Sequence, residues 1–527
     1  MMRSLLSLRA LRVTTKSVPV AAGLVMVSVG AFAQEPDSES GPKQALSIVP
    51  RVSVTETLTD NVRLSSVGQK SDLITEISPG IRIIVDGARV KGYFDYALNA
   101  ISYAKNSSSN HTQKALNTFG TLEAVDNWAF IDFSGSIAQQ TVSAFGTQST
   151  DNTSINANRS EVSNYRLSPY LRGRLGSIAN YEARYSRAVT DTDAAAASRV
   201  TTVDGAIRLT GDSALSTLGW SADASQQRVD FSAGRSSEAE RFGLGLSYRI
   251  TPQLSVSANA GREANNYVSF DKRSHNTSGF GVNWSPSERT RLSASRDRRF
   301  FGNAHSLSFE HRTPLTAWKF TDSKDVLTTP TQLGIASRGT IFDLLQSQFA
   351  SIEPDPVRRA QLVSLFLQVT GISPGTPVVS SFLTSAVSLQ RRQDLLFALL
   401  GVRDTITFIG TRSDSSRLDT VSRAVDDFTR ASFIRQRGFS VNYAHRLTPD
   451  YSLGVLASQQ KTSGVDSLQN ITGVNSLQNI TLRALNVNVT GKLGKQTAVS
   501  VGLRRVVSRG TTPYDETAVL GSLTVQF

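Results

Sequence analysis

The chain has 527 residues, of which 39% are hydrophobic, and carries 56 Lys and Arg against 43 Asp and Glu, a net charge of +13. Cysteine is absent, which excludes disulfides, thiol nucleophiles and zinc–thiolate sites. So low an apolar content does not fit a large enzyme with one buried core, but it fits a barrel with a wet interior, whose strands need only one apolar face.

Residues 1–33 read as a secretory signal peptide. Arg3, Arg9, Arg12 and Lys16 make a basic leader, Val18 to Val29 an apolar core, and Ala31-Phe32-Ala33 a small-x-small cleavage site before Gln34. The apolar run is short of the roughly 20 residues that an uncleaved anchor helix needs to span a bilayer. Cleavage lowers the net charge from +13 to about +9 by removing those four cations. A basic balance can mark nucleic-acid binding. Here the arginines are dispersed along strand-like stretches of an exported chain, so no nucleic-acid partner is expected.

Residues 34–45 form a polar periplasmic linker, and strand patterning begins at 46. Leu46, Ile48, Pro50, Val52 and Val54 alternate with Ser47, Val49, Arg51 and Ser53. Thr59-Asp60-Asn61 leads into a loop. A second strand to Val85 is broken by Pro79-Gly80, Asp86-Gly87 marks a tight turn, and Val90–Tyr103 returns. The same alternation of tight turns and polar loops continues, with Ser143–Ser160 a Ser/Thr/Asn-rich loop. Between 330 and 377 the period becomes helical. Asp355-Pro356 opens an amphipathic stripe of Val357, Ala360, Val363, Phe366 and Leu367, closed by Gly371; such an insertion is a plug, a lid or a rim element. Strands then resume. GVDSLQNIT at 464–472 is repeated as GVNSLQNIT at 473–481, too short for a solenoid period and best read as a loop that grew.

The final stretch, Thr517–Phe527, places Val519, Leu523, Val525 and Phe527 on one face, with Gln526 and Thr524 on the other. A closing strand with an aromatic carboxy terminus resembles the signal by which outer-membrane barrels are inserted. Phe527, Val525 and Leu523 are therefore the expected assembly signal, with outer-membrane lipid and the barrel assembly machinery as partners. Tight turns near 86, 126, 176, 211, 251, 286, 313, 401, 448 and 494 fit an antiparallel transmembrane β-barrel over 46–527, with 18–22 strands and a short helical insertion. Trp128, Trp220, Trp284, Trp318 and Tyr451 lie near those turns, as an interfacial girdle requires.

No catalytic, cofactor or metal site is read from the sequence. The five histidines show no metal-ligand spacing, and no nucleophile elbow, phosphate loop or dinucleotide fingerprint occurs. His305 and Ser306 are adjacent on a strand and point to opposite faces, so they cannot form a hydrolase dyad. The most distinctive chemistry is the basic-aromatic region 289–320. Arg289, Arg291, Arg296, Arg298, Arg299 and Arg312 are candidate lumen contacts for an anionic sugar. The same residues also fit a ring of Arg–acid pairs or rim arginines at lipid phosphates.

Five stretches together resemble one family: IVPRVSVTETLTDNVRLSS (48–66), SDLITEISPGIRI (71–83), FFGNAHSLSFEHRTPLTAW (300–318), DPVRR (355–359) and the terminal Phe527. They look like the outer-membrane β-barrel proteins associated with the PEP-CTERM/exosortase system. Glu56 with Thr59-Asp60-Asn61, and His311-Arg312-Thr313 with Trp318, are the most specific parts. The resemblance covers essentially the whole chain after the leader. It implies the outer membrane of a Gram-negative bacterium and a role in exopolysaccharide biosynthesis or export, as a channel or a scaffold of the secretion apparatus, with no catalytic residue. A general diffusion porin is the alternative, and an outer-membrane hydrolase a weaker one.

Overall fold

The computed structural model describes residues 45–194, 199–212, 217–232, 235–328, 382–384, 386–418, 426–465, 478–494 and 496–527. The leader, almost all of the linker, the expected helical insertion and most of the 464–481 repeat lie outside the described residues.

Residues 46–527 form one antiparallel sheet of 22 strands, the upper end of the range expected from the turns. The strands are β1 (Leu46–Thr59), β2 (Asp72–Asp86), β3 (Val90–Tyr103), β4 (His111–Val125), β5 (Ala129–Thr141), β6 (Arg159–Leu175), β7 (Ala179–Thr192) and β8 (Val200–Asp212). They continue as β9 (Leu218–Phe231), β10 (Ser237–Thr251), β11 (Leu254–Asn265), β12 (Arg273–Ser287), β13 (Thr290–Arg299), β14 (Gly302–Arg312) and β15 (Thr316–Leu327). After the insertion come β16 (Ser388–Leu400), β17 (Asp404–Arg417), β18 (Phe433–Arg446), β19 (Tyr451–Val465), β20 (Gln478–Lys492), β21 (Thr497–Gly510) and β22 (Tyr514–Gln526). A one-turn helix, α1 (Asp427–Arg430), capped by the Asp426 side chain, precedes β18.

Each strand pairs with its sequence neighbours, and β1 also pairs with β22, from Arg51↔Gln526 to Thr59↔Ala518. That seam removes both edges, so the backbone groups along every strand find partners within the sheet, as hydrocarbon demands. Short turns and both ends of the sheet lie at one rim, the periplasmic side of bacterial barrels, and the longer loops lie at the other. Asn127 and Gly176 take positive φ of 55° and 58° in two of those turns. Pro79-Gly80 does not break β2. Its ladder with β1 runs through Val52↔Pro79, and only the β3 ladder skips, from Ile77↔Ala100 to Gly80↔Ala97.

The register fixes which side chains face outward. On β22 the outward set contains Val519, Leu523, Val525 and Phe527. Val519 pairs with Leu58 and Leu503, and these three stay 45%, 54% and 58% exposed. The same exposure recurs at Leu167, Ile207, Leu246, Phe280 and Val501, so a closed sheet carries an apolar belt on its outer face. Water would penalise so large a contiguous patch; the core of a bilayer does not. Trp284, Trp318 and Tyr451 face outward at the turn end, and Trp128 donates from Nε1 to the Tyr181 hydroxyl at 2.8 Å. They form the expected girdle. The chain is an outer-membrane β-barrel.

Candidate functional site

The upper end of the β1–β22 seam is held by the Thr59-Asp60-Asn61 segment. Thr59 Oγ1 donates to Glu516 Oε1 at 3.0 Å, and Asp60 Oδ1 accepts the Thr517 N–H at 2.8 Å. Asn61, fully buried, donates from Nδ2 to the Ser65 and Asp515 carbonyls and accepts the Ser65 N–H. A strand end without further pairing leaves orphan backbone groups; these short side chains satisfy them. Thr59-Asp60-Asn61, part of one of the two most specific stretches of the resemblance, is therefore a structural clasp. Glu56 sits apart from it on the outer face, where its carboxylate accepts the Thr75 hydroxyl.

Below that clasp the mouth is occupied by the β5–β6 loop, residues 142–158. Its Ser, Thr, Asn and Gln side chains knit its own backbone. Gln148 Nε2 donates to the Ser143 and Gly146 carbonyls, Asn156 Nδ2 to that of Thr147, and Asn158 Nδ2 to those of Ser143 and Thr147. Such a loop is compact rather than slack. It touches inward-facing residues on distant walls. Tyr514 of β22 donates its hydroxyl to the Gln148 carbonyl, Tyr103 of β3 to that of Thr153, and Gln113 of β4 to that of Asn152. Asp427 of α1 accepts from Ser143 Oγ and the Ala144 N–H, both at 2.6 Å. Phe145 packs with Phe428, Ala431, Ile434 and Ile480 in a buried cluster.

The tightest anchor is ionic. Arg504 of β21, 6% exposed, reaches Asp151 of the loop at 2.6 Å and Glu516 at 2.7 Å. Asp151 also accepts the backbone N–H groups of Thr153 and Ser154 at 2.8 and 2.7 Å. Burial pushes the Asp151 carboxyl up. The Arg504 guanidinium and the Ser154 and Thr153 donors outweigh burial, and the group lies below the ordinary carboxylate range.

Opposite this crowded sector the inner wall of β8–β12 is paved with small residues. Gly243, Gly245, Gly261, Gly279 and Gly281 all face inward there. Neighbouring groups lie close over them, backbone at Gly261 and polar side chains at Gly243 and Gly281. A Cβ at Gly243 would meet Asp223 Oδ1 at 2.9 Å, and one at Gly281 would meet Ser257 Oγ at 2.7 Å. A recess of about 550 Å³ runs here, lined by Arg208, Asp223, Arg241, Ser257 and Asn259 among others. A smaller one of about 250 Å³, reaching Gln227, Tyr267 and Arg299, shares Arg241 with it. Arg241 Nε is buried with no hydrogen-bond partner among the described residues.

The six arginines singled out in the sequence are not brought together. Arg291 and Arg299 share the inward face of β13 with Asp297, whereas Arg296 and Arg298 face outward beside Phe280 and Ser278. Arg289 lies in the β12–β13 turn, and its carbonyl accepts the Arg312 N–H at the same rim. A lumen wall built from all six is therefore corrected to three inward residues: Arg291, Arg299 and, at the rim end of β14, Arg312. One of them, Arg299, is bound to Glu263 at 2.8 Å and Asp325 at 2.5 Å. The reason is the period of two: a dense Arg run on a strand must split between faces. His305 likewise faces outward, to Asp322 at 3.0 Å, and Ser306 inward. The inward arginines that line the recess, Arg208 and Arg241, gave only the weak signal of lying among glycines and serines.

No family model and no curated protein matches the chain. Among solved structures it is similar to the apoprotein form of the FrpB iron transporter from Neisseria meningitidis. That match has a TM-score of 0.50 and 12% identity, over 91% of this chain and 81% of that one. The siderophore receptor PirA from Pseudomonas aeruginosa also matches, with a TM-score of 0.43 and 9% identity, over 91% and 80%. At such identities the likeness to the first is one of fold.

Proposed function

We propose that this barrel is a gated outer-membrane channel for a hydroxyl-rich, neutral or anionic exopolysaccharide, closed at its outer mouth by residues 142–158. The observation that carries the reading is the polar inner wall of β8–β12. Glycine, serine and asparagine make it flat, and Arg208 and Arg241 line it, Arg241 with a buried donor left unpaired. Sugars offer hydroxyl acceptors and donors along their length, and carboxylated sugars add charges that arginine recognises. Work within the PEP-CTERM/exosortase system rests on the sequence resemblance. Delivery by the barrel assembly machinery through Phe527 rests on the closing strand. A scaffold in the secretion apparatus would use the same surfaces without passage.

The general diffusion porin is the second reading, and the hydrogen-bonded loop in the mouth speaks against it. A strain lacking the protein should lose extracellular polysaccharide, and the wild-type gene should restore it. The Arg208→Gln/Arg241→Gln double variant should restore less of it at equal outer-membrane level. Normal polysaccharide in the null strain would sink the proposal. Normal polysaccharide with poor growth on an iron chelate would favour the ligand class named for the solved neighbours.

A further inference from the structure

On the outer face of β13–β20 the apolar belt ends abruptly, and a basic zone begins above it. The register aligns its side chains in rows across hydrogen-bonded strands. One row runs Arg296, His305, Lys324, Arg391, Asp414, Arg435 over β13–β18. The next, one outward residue lower, runs Asp322, Gln393, Arg412, Arg437, Lys461 over β15–β19. Directly beneath lie Phe320, Leu395, Gly410 and Phe439, so the rows start where the apolar surface stops. The strands here have 10–15 residues, most of them more than the roughly 9–11 that cross the hydrocarbon, so their loop-side ends project past it. Neighbouring strands stand about 4.8 Å apart, which sets the spacing of the cations.

Some of these charges hold each other. Asp322 takes Arg391 at 2.8 Å, and Asp414 takes Arg412 and Arg435 at 2.7 Å. Arg296, Arg298, Lys324, Arg437, Lys461 and Arg483 have no carboxylate partner among the described residues, and all but Lys324 are exposed. The matching height on β4–β12 is different. There Lys114 meets Glu161, Arg228 meets Asp230 and Glu238, and Lys272 meets Glu238 and Glu240. Among the described residues the unpaired outward cations are densest on β13–β20; on β4–β12 they are the isolated Arg187 and Arg262.

We propose that this half-ring is a binding site for the phosphate groups of lipopolysaccharide, the phosphorylated glycolipid of the outer leaflet. The acyl chains lie on the apolar belt below, and the phosphates are taken by Arg296, Arg437 and Lys461, with Arg391, Arg412 and Arg435 held in place by the two aspartates. Charge complementarity and height select this occupant: a phosphorylated headgroup whose own chains fill the belt reaches the rows without leaving the bilayer. The site is separate from the lumen and does not depend on what the barrel carries.

The test uses the full chain purified in neutral detergent, with native mass spectrometry as the readout. The probes are bisphosphorylated lipid A, dephosphorylated lipid A and phosphatidylglycerol. Wild type should retain bisphosphorylated lipid A and bind the other two at least tenfold more weakly. The triple variant Arg296→Gln/Arg437→Gln/Lys461→Gln should lose about tenfold in lipid A binding, the effect of about 1.4 kcal/mol. Arg187→Gln, an exposed outward cation on β7, should lose none. Should the triple variant not fold, as judged by heat-dependent gel mobility, raising salt on wild type must itself release lipid A. Equal retention by the triple variant, equal binding of dephosphorylated lipid A or phosphatidylglycerol, or salt-insensitive retention would each overturn the site.

Discussion

Two sectors of the inner wall are built on opposite plans. The sector of β18–β22 and β1–β4 presents large, buried groups to the lumen: Tyr103 and Tyr514 are 2% exposed, Glu516 1% and Arg504 6%. The sector of β8–β12 presents glycine, serine and asparagine, with Arg208 and Arg241 lining a recess. Strand alternation and closure are the same in both, so the sheet does not impose the difference. Residues 142–158 do: the first sector is shaped to hold that loop, and the second is kept clear of it. One lumen thus carries two differently built sectors, set by side-chain size rather than by the sheet.

The contrast breaks most severely at Arg504. Arg504→Ala leaves Asp151 and Glu516 buried without their cation and should cost about 3–5 kcal/mol. It should be read as a lower urea midpoint of the refolded barrel, with new protease cleavage within 142–158. Phe145→Ala comes next. Its ring lies against Gly464, where even a Cβ would meet Cζ at 2.5 Å, and the loss should be about 3 kcal/mol, measured in the same way.

Acid should loosen the gate without any mutation. The folded Asp151 carboxyl titrates below its ordinary value of about 3.9, so the stability it contributes is present above that value. That stability is lost as pH falls through the lowered folded value. Loop cleavage should therefore rise as pH falls below about 4, and Asp151→Asn should weaken that rise. The smallest effect on stability is expected in the other sector. Arg241→Gln should change the unfolding free energy by no more than about 0.5 kcal/mol. It should still weaken binding of a polyuronate oligomer, measured by calorimetry, which separates track from gate.

Much of the barrel was legible in the sequence, because its determinants are local. Tight turns such as Asp86-Gly87 and Asp126-Asn127, and the two-residue alternation of Thr517–Phe527, depend on near neighbours. What could not be read depends on residues far apart in the chain. Ser143–Ser160 reads as a polar loop, and nothing local says that Asp151 meets Arg504 or that Asp427 receives Ser143. The arginines of 289–312 stood out by density, yet density along a strand does not choose a face. The residues that line the polar wall, Arg208 and Arg241, are isolated in sequence and are assembled only by the register. Thr59-Asp60-Asn61 was legible as a distinctive motif, but its role at the seam required β22 beside it.

The gate is tested most directly by single-channel conductance in planar bilayers, comparing wild type with Arg504→Ala at neutral pH. Wild type should show a small or unresolved conductance, and the variant a several-fold larger, longer-lived one. Identical, wide-open conductance for both would contradict the gate, because residues 142–158 would then not govern passage.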